Sequence, residues 1–265
     1  MAKTIIISDL HGMYDEAIEL LDKCKVTASD RVIYQGDLVD RGPDNDKCVD
    51  LAMRREKIQG LPACILGNHE SVHINHEIDF QKNKLRLPSY LPSIPPTHIA
   101  TRLQLRPEHH EYFKRLPFYI RLPEYNAVVV HAGVFPGKTI EQQDPHHLLH
   151  IQMIDPYDKW GNPSYNKKTM WPSKSPESWK FWTNFWDGPE KIIFGHSVLD
   201  KCLITDKVWG IDGGACFGGT LNALILPGWE IVSVKSTRNY GKGKRGRDPN
   251  DIRKFLIHGD VSTFS

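Results

Sequence analysis

The sequence predicts an α/β fold with its chemistry gathered at the carboxyl ends of a largely parallel sheet. Two observations lead there. Short β-rich apolar runs alternate with amphipathic stretches of helical spacing in the first part of the chain, and five such runs each end in a Gly-containing polar turn bearing a metal-capable side chain. Alternation of this kind builds parallel sheets, whose ligands collect at the carboxyl ends of the strands.

The elements follow in order. Thr4 to Ile7 reads as a strand and leads into Ser8-Asp9-Leu10-His11-Gly12. Ala17, Leu20, Leu21 and Cys24 then recur at helical spacing. Arg31 to Tyr34 forms a second strand, ending in Gly36-Asp37-Leu38-Val39-Asp40-Arg41-Gly42, and Cys48, Val49, Leu51 and Ala52 mark a second helix after Pro43. Ala63 to Leu66 leads into Gly67-Asn68-His69-Glu70, Ala127 to Val130 into His131-Ala132-Gly133, and Lys191 to Phe194 into Gly195-His196-Ser197. Beyond His196 the strands come close together: Lys201 to Thr205, Val208 to Ile211, Thr220 to Leu226 and Glu230 to Val234. They predict a β-meander.

Two stretches interrupt this scheme, a Pro-punctuated one near 85–106 and a Trp-rich one near 155–189. Both are expected to be inserts near the site rather than domains. Residues 1–236 then form a single domain, and 237–265 a basic tail. From Lys235 to Lys254 there are eight Lys/Arg against two Asp, a local charge of +6 that leaves −4 on the rest of a +2 chain. Such a tail is a solvated surface first and a contact for nucleic acid or another polyanion second.

Composition excludes several classes. The chain has 265 residues, 40% hydrophobic and 25% charged, which suffices for a core without staples. Its five cysteines are widely spaced with no Cys-x-x-Cys pair, so neither a disulfide framework nor a thiolate zinc site is indicated. No apolar run approaches the ~20 residues of a membrane span, and Met-Ala-Lys-Thr passes straight into a strand without a signal-peptide core. A cytoplasmic protein without membrane contact is expected.

The strand ends carry the chemistry. Asp9 and His11 are two apart at a strand end, where extended backbone would direct both to one side. With Asp37, Asn68, His131 and His196 they make a set of carboxylate, imidazole and carboxamide donors without sulfur, which suits manganese first, and iron or zinc as alternatives. Six ligands exceed the needs of one ion. They fit two cations about 3.5–4 Å apart bridged by a carboxylate, for which Asp37 is the best placed.

These blocks, Asp9-Leu10-His11-Gly12, Gly36-Asp37-Leu38-Val39-Asp40-Arg41-Gly42, Gly67-Asn68-His69-Glu70, His131-Ala132-Gly133 and Gly195-His196-Ser197, resemble the ordered signature of the calcineurin-like metallophosphoesterases of the phosphoprotein phosphatase type. The segment from Ile211 to Leu221 is similar to one in small bacterial and phage members, which include lambda-type protein phosphatases and symmetrical diadenosine tetraphosphatases. The resemblance implies two packed β-sheets flanked by helices. It implies one divalent ion on Asp9, His11 and Asp37, and another on Asp37, Asn68, His131 and His196. It implies a metal-bridging hydroxide as nucleophile, His69 as general acid oriented by Asp40, and Arg41 as a bidentate phosphate clamp. Protein-directed members usually carry a second phosphate-binding arginine between the His131-like and His196-like blocks. This chain has no Arg between Arg121 and Arg238.

The missing arginine and the short bacterial-type architecture favour a broad or nucleotide-directed activity, whereas the intact Asp40-Arg41 pair suits the protein-phosphatase side. A Ser/Thr-type phosphatase of broad phosphomonoester specificity, acting on phosphoproteins or small phosphomonoesters, ranks slightly ahead. A dinucleoside polyphosphate hydrolase or nucleic-acid-end phosphatase is the alternative, and a nucleic-acid-binding protein working through its tail is the competitor of another class. Nine further histidines, His73, His76, His98, His109, His110, His146, His147, His150 and His258, are expected on helix or insert surfaces without a role, although His73 and His76, which follow His69 on a predicted helix, could edge the cleft. The Trp-rich insert is expected to be a small satellite core before a base-stacking platform.

Overall fold

The computed structural model describes residues 2–82, 95–157, 162–167 and 174–240. The chain begins β1 Thr4–Ile7, α1 Tyr14–Lys23, β2 Arg31–Tyr34, α2 Asn45–Gln59 and α3 Asn68–Lys82, then α4 Pro96–Gln104 and α5 Pro107–Lys114. It continues with β3 Tyr119–Leu122, β4 Ala127–Val130, α6 Pro145–His150, the short pair β5 Met153–Ile154 and β6 Lys180–Phe181, and β7 Lys191–Phe194. It closes with β8 Leu203–Ile204, β9 Val208–Gly210, β10 Thr220–Leu226 and β11 Glu230–Lys235.

Two mixed sheets result, ordered β11-β10-β1-β2 and β3-β4-β7-β9-β8. Period-two burial explains why they stack. In β1, Ile6 faces the second sheet while Ile5 and Ile7 face the helices; in β7, Ile193 turns inward while Ile192 and Phe194 turn to the far side. The inner layer joins Ile6, Ile33 and Leu224 of one sheet to Ile120, Val129 and Ile193 of the other. Ile6 is wholly buried there, so Ile6→Ala would cost about 2–5 kcal/mol. On the outer faces, Ala17 and Leu20 of α1 and Cys48, Val49 and Ala52 of α2 cover the first sheet. Trp179, Trp182 and Trp186 cover the second.

Several expectations need correction. The sheets are parallel only in part, β1 with β2 toward one edge of the first and β7 with β4 and β9 in the middle of the second. The closing strands are two hairpins rather than one meander, because β8-β9 joins the second sheet and β10-β11 the first; alternation within strands cannot tell these apart. Ala63 to Leu66 pairs with β2 through a single bridge, Tyr34 to Cys64. The adjoining edge is taken by Gln59 at the end of α2, whose Oε1 accepts from Val32 N at 3.0 Å while its Nε2 donates to Val32 O at 3.1 Å.

Of the two inserts, the first contains α4, and the described tryptophans of the second, Trp179, Trp182 and Trp186, join the core on the outer face of the second sheet with Val128, Ile192 and Phe194 rather than forming a separate satellite; Trp160 and Trp171 lie outside the described residues. The basic stretch beyond Tyr240 also lies outside them. All five cysteines are free thiols. Among the described residues no helix is long and apolar enough to cross a membrane.

Candidate metal centre

The loops after β1 and β2 are zipped together by their backbones. His11 N donates to Asp37 O and Gly12 N to Leu38 O, both at 2.8 Å, and Gly42 N returns to His11 O at 2.9 Å. These bonds hold His11, Asp37, Asp40 and Arg41 at φ of 47°, 48°, 70° and 76°, and His196 sits at 60°. Left-handed backbone costs a non-glycine residue about 1–3 kcal/mol and persists where the surroundings impose it, characteristically at functional sites.

Asp37 lies at the centre. Its Oδ2 is 3.6 Å from His11 Nε2 and 3.8 Å from His69 Nε2, and its Oδ1 is 3.5 Å from His131 Nε2. Two clusters of close ligand atoms share it: His11, Asp37 and His69, and Asp37, His131 and His196. Gly67 allows this approach, because a Cβ there would overlap Asp37 N and Oδ1. Asn68 Oδ1 joins the second cluster, 2.9 Å from His131 Nε2. Asp9 does not belong to either cluster; both its oxygens accept from His196 N at 3.1–3.2 Å. A Cβ on Gly195 would overlap its carboxylate.

The donor chemistry fits divalent cations. His11 Nδ1 donates to Val39 O at 2.9 Å and His131 Nδ1 to Gln35 O at 2.8 Å, since a carbonyl can only accept. Burial pushes the His11 imidazole down to about 3 and lowers His131 as well, so both are neutral near pH 7 and turn an Nε2 lone pair toward Asp37. A second-nitrogen bond to a carbonyl is the usual orienting device of a metal-binding histidine. In this tautomer His131 Nε2 and Asn68 Oδ1 face each other as two lone-pair atoms, which a shared cation satisfies. The carboxyls agree. Burial, aided by Asp212 and Asp37, raises Asp9 well above its ordinary range, and burial with Asp37 pushes Glu70 up to about 8. Burial also raises Asp212 to about 6. Burial would raise Asp37 too, but the ring of His131, His69, His11 and His196 holds it well below that range. Crowded, dehydrated carboxylates of this kind are relieved by cations.

Beside this cluster, His69 Nδ1 donates to Asp40 Oδ2 at 2.6 Å. Burial lowers the His69 imidazole, but Asp37 and the Asp40 bond outweigh it and leave it raised, which favours the protonated ring. Arg41 is exposed, its Nη2 3.5 Å from His69 Nε2 and its guanidinium 4.9 Å from the centre of the Phe217 ring. The planar fork is thus held at the mouth of the site.

The contacts of three residues escaped the sequence reading. Glu70 was quoted only as part of its block; wholly buried, it accepts from Asp37 N and Leu38 N at 2.8 Å and from Gly67 N at 3.1 Å. His73 is buried at 1% exposure with Nε2 3.0 Å from Asp40 Oδ1, and His98 Nε2 lies 3.4 Å from Asp40 Oδ2. His73 stands one helical turn after His69, a spacing that places both on one face; nothing in the local sequence links His98 to Asp40. His109, His110 and His147 are buried as well, against the expectation of surface positions. His258 lies outside the described residues.

Fold and site together define a metal-dependent phosphoesterase. The chain belongs to the calcineurin-like phosphoesterase family, whose model matches residues 2–220, and it is a phosphoric ester hydrolase of a family that holds divalent ions in a binuclear centre. It is 26% identical over 254 residues to an asymmetrical bis(5'-nucleosyl)-tetraphosphatase PrpE of Oceanobacillus iheyensis, covering 90% of this chain and 94% of that protein. It is 27% identical over 256 residues to the protein of the same name from Halalkalibacterium halodurans, covering 87% and 93%. A crystal structure provisionally assigned as a diadenosine tetraphosphatase superposes with a TM-score of 0.68 at 27% identity, over 90% of this chain and 95% of that one.

Proposed function

We propose that this protein hydrolyses dinucleoside tetraphosphates asymmetrically, giving a nucleoside monophosphate and a nucleoside triphosphate. The observation that carries the reaction class is Asp37, shared between two clusters of imidazole nitrogens. The substrate class is supported by the two PrpE relatives, which span nearly their whole length with this chain. Phosphomonoesters and phosphoproteins, ranked slightly ahead on sequence, accordingly give way to the nucleotide alternative.

In this reading Asp9, His11 and Asp37 hold one divalent ion and Asp37, Asn68, His131 and His196 the other, with manganese preferred over iron or zinc. Bound there, the pair lowers the pKa of water and neutralises phosphate charge. The chain's own groups do the rest. Arg41 offers two parallel N–H donors to phosphate oxygens, a geometry a lysine lacks. Asp40 keeps the His69 Nδ1 proton in place, so that Nε2 carries the proton delivered to the departing phosphate oxygen. Neutral His11 and His131 leave their Nε2 lone pairs free for ligation.

The test is a panel with manganese-loaded full chain: diadenosine tetraphosphate, an aryl phosphate, a phosphopeptide and a 3'-phosphorylated oligonucleotide. The highest kcat/KM is expected on diadenosine tetraphosphate, with AMP and ATP as products. A higher kcat/KM on the phosphopeptide would overturn the substrate class, and two molecules of ADP would overturn the asymmetry.

A further inference from the structure

Asp40 is surrounded by more imidazoles than the orientation of one acid requires. Its Oδ2 accepts from His69 Nδ1 at 2.6 Å and its Oδ1 from His73 Nε2 at 3.0 Å, while His98 Nε2 approaches Oδ2 to 3.4 Å. The His73 and Asp40 side chains are each 1% exposed and that of His98 is 17% exposed. The rings of His69 and His98 meet edge-on with centroids 5.8 Å apart, and those of His73 and His98 lie at 5.5 Å.

We propose that His73 and His98 are positioning residues for the hydrolysis: they clamp the Asp40 carboxylate from two further sides, and so fix the direction in which His69 presents Nε2 to the leaving oxygen. This rests on the assignment of His69 as the general acid.

A carboxylate held only by His69 could swing about its Cβ–Cγ bond and carry the ring with it. His73 removes that freedom by occupying Oδ1, and it arrives from the same face of α3 as His69, one turn along. His98 closes the third side from a different element. Helix α4 is tied down for this purpose at two other points: Gln104 Oε1 accepts from Asn45 N at 2.9 Å and from Asn45 Nδ2 at 3.0 Å, and Arg102 pairs with Glu77 of α3 at 2.6 Å. Asn45 in turn accepts from Asp40 N through Oδ1 at 2.6 Å. Backbone and side chain of Asp40 are thus both fastened to α4. A misplacement of an ångström in a reacting group can cost about two orders of magnitude in rate, so such a clamp acts on kcat.

The experiment uses the manganese-loaded full chain with His73→Leu, His73→Gln, His98→Leu and His69→Asn, each assayed on an activated aryl phosphate and on an alkyl phosphate with a poor leaving group. His69→Asn is the reference for loss of the acid. His73→Leu and His98→Leu should each lower kcat on the alkyl phosphate about tenfold, a fraction of the full acid contribution, and on the aryl phosphate less than threefold, with KM and two bound metals retained. His73→Gln, whose amide N–H can replace Nε2–H, should recover most of the loss. Equal losses on both substrates, equal behaviour of the Leu and Gln variants, or no loss at all would overturn the clamp while a selective His69→Asn leaves the acid assignment standing. A His69→Asn variant that loses equally on both substrates would remove the acid assignment and the clamp with it. If His73→Leu fails to fold by circular dichroism, His98→Leu, at a more exposed position, decides the matter.

Discussion

Glu70 accepts the backbone N–H of Asp37 through Oε2 at 2.8 Å, so the residue two places after Asn68 holds the loop that presents the shared carboxylate. Its other oxygen accepts from Leu38 N, and Gly67 N also reaches Oε2. Both oxygens therefore accept from backbone N–H groups, and burial with Asp37 pushes the carboxyl up to about 8. In Glu70→Gln an amide nitrogen would face a backbone N–H, leaving a buried donor unpaired at a cost of about 1–3 kcal/mol. Calorimetry should show Tm lower by about 2–10 °C. Manganese titration should show weaker binding, and an unchanged Tm and affinity would remove Glu70 from this role.

Asp37→Asn should be the most damaging single change at the site. It keeps the shape but withdraws the charge that both clusters share, which is worth several kcal/mol and hence about 10³-fold or more in kcat. Metal content measured on the purified variant should fall below two ions per chain. Near-normal turnover with two ions bound would refute the bridging role.

His69→Asn should discriminate by leaving group. A general acid contributes about 10²–10⁴-fold when the departing oxygen is basic. The leaving group of a dinucleoside tetraphosphate is itself a phosphate, so the loss on that substrate should be smaller than on an alkyl phosphate. Steady-state rates on the two substrates test this, and equal losses would argue against an acid.

How much of this was legible in the sequence depends on distance along the chain. Strand ends carrying Asp37, Asn68, His131 and His196 were readable because each apolar run stops at a polar, Gly-containing turn, and the packing of the two sheets then brings those ends together. Asp9 is read from the sequence as a donor; its engagement by His196 N was not legible, because no pattern reports a loop 187 residues away. The clamp on Asp40 from His98 was hidden for the same reason: α4 lies in a Pro-punctuated stretch that reads as irregular insert, and only its docking through Gln104 gives the histidine a position. The division of the last four strands between two sheets was equally invisible, since period two sets which face is buried and not which sheet a hairpin joins.

Phe217→Ala should raise KM with little change in kcat. The Arg41 guanidinium sits 4.9 Å from the centre of that ring, and an exposed cation–π contact is worth about 0.5–1 kcal/mol. Releasing the guanidinium would loosen the phosphate clamp proposed for Arg41 in ground and transition states alike, which converts to about a two- to fivefold rise in KM. Unaltered KM in Phe217→Ala, alongside a raised KM in Arg41→Lys, would show that the ring does not hold the clamp.

Removing His147 should flatten the acid limb of the stability profile. Its ring is stacked on Phe135 with centroids 5.1 Å apart and meets Tyr165 at 4.6 Å. Burial pushes its imidazole down to about 4; Asp144 opposes this, while Lys138, His146 and Lys167 reinforce it. The unfolded chain has the ordinary value near 6.5, so between about pH 4 and 6.5 it binds more protons than the folded one. Stability therefore rises with pH through that window, is complete above it, and is lost as the pH falls toward 4. Other buried histidines, His98 among them, act in the same direction, so the wild type alone does not isolate the effect. His147→Phe keeps the stack and removes the titration, and its Tm should fall less between pH 6.5 and 4.5 than that of the wild type. Parallel profiles for the two proteins would mean that His147 takes no part in the acid response.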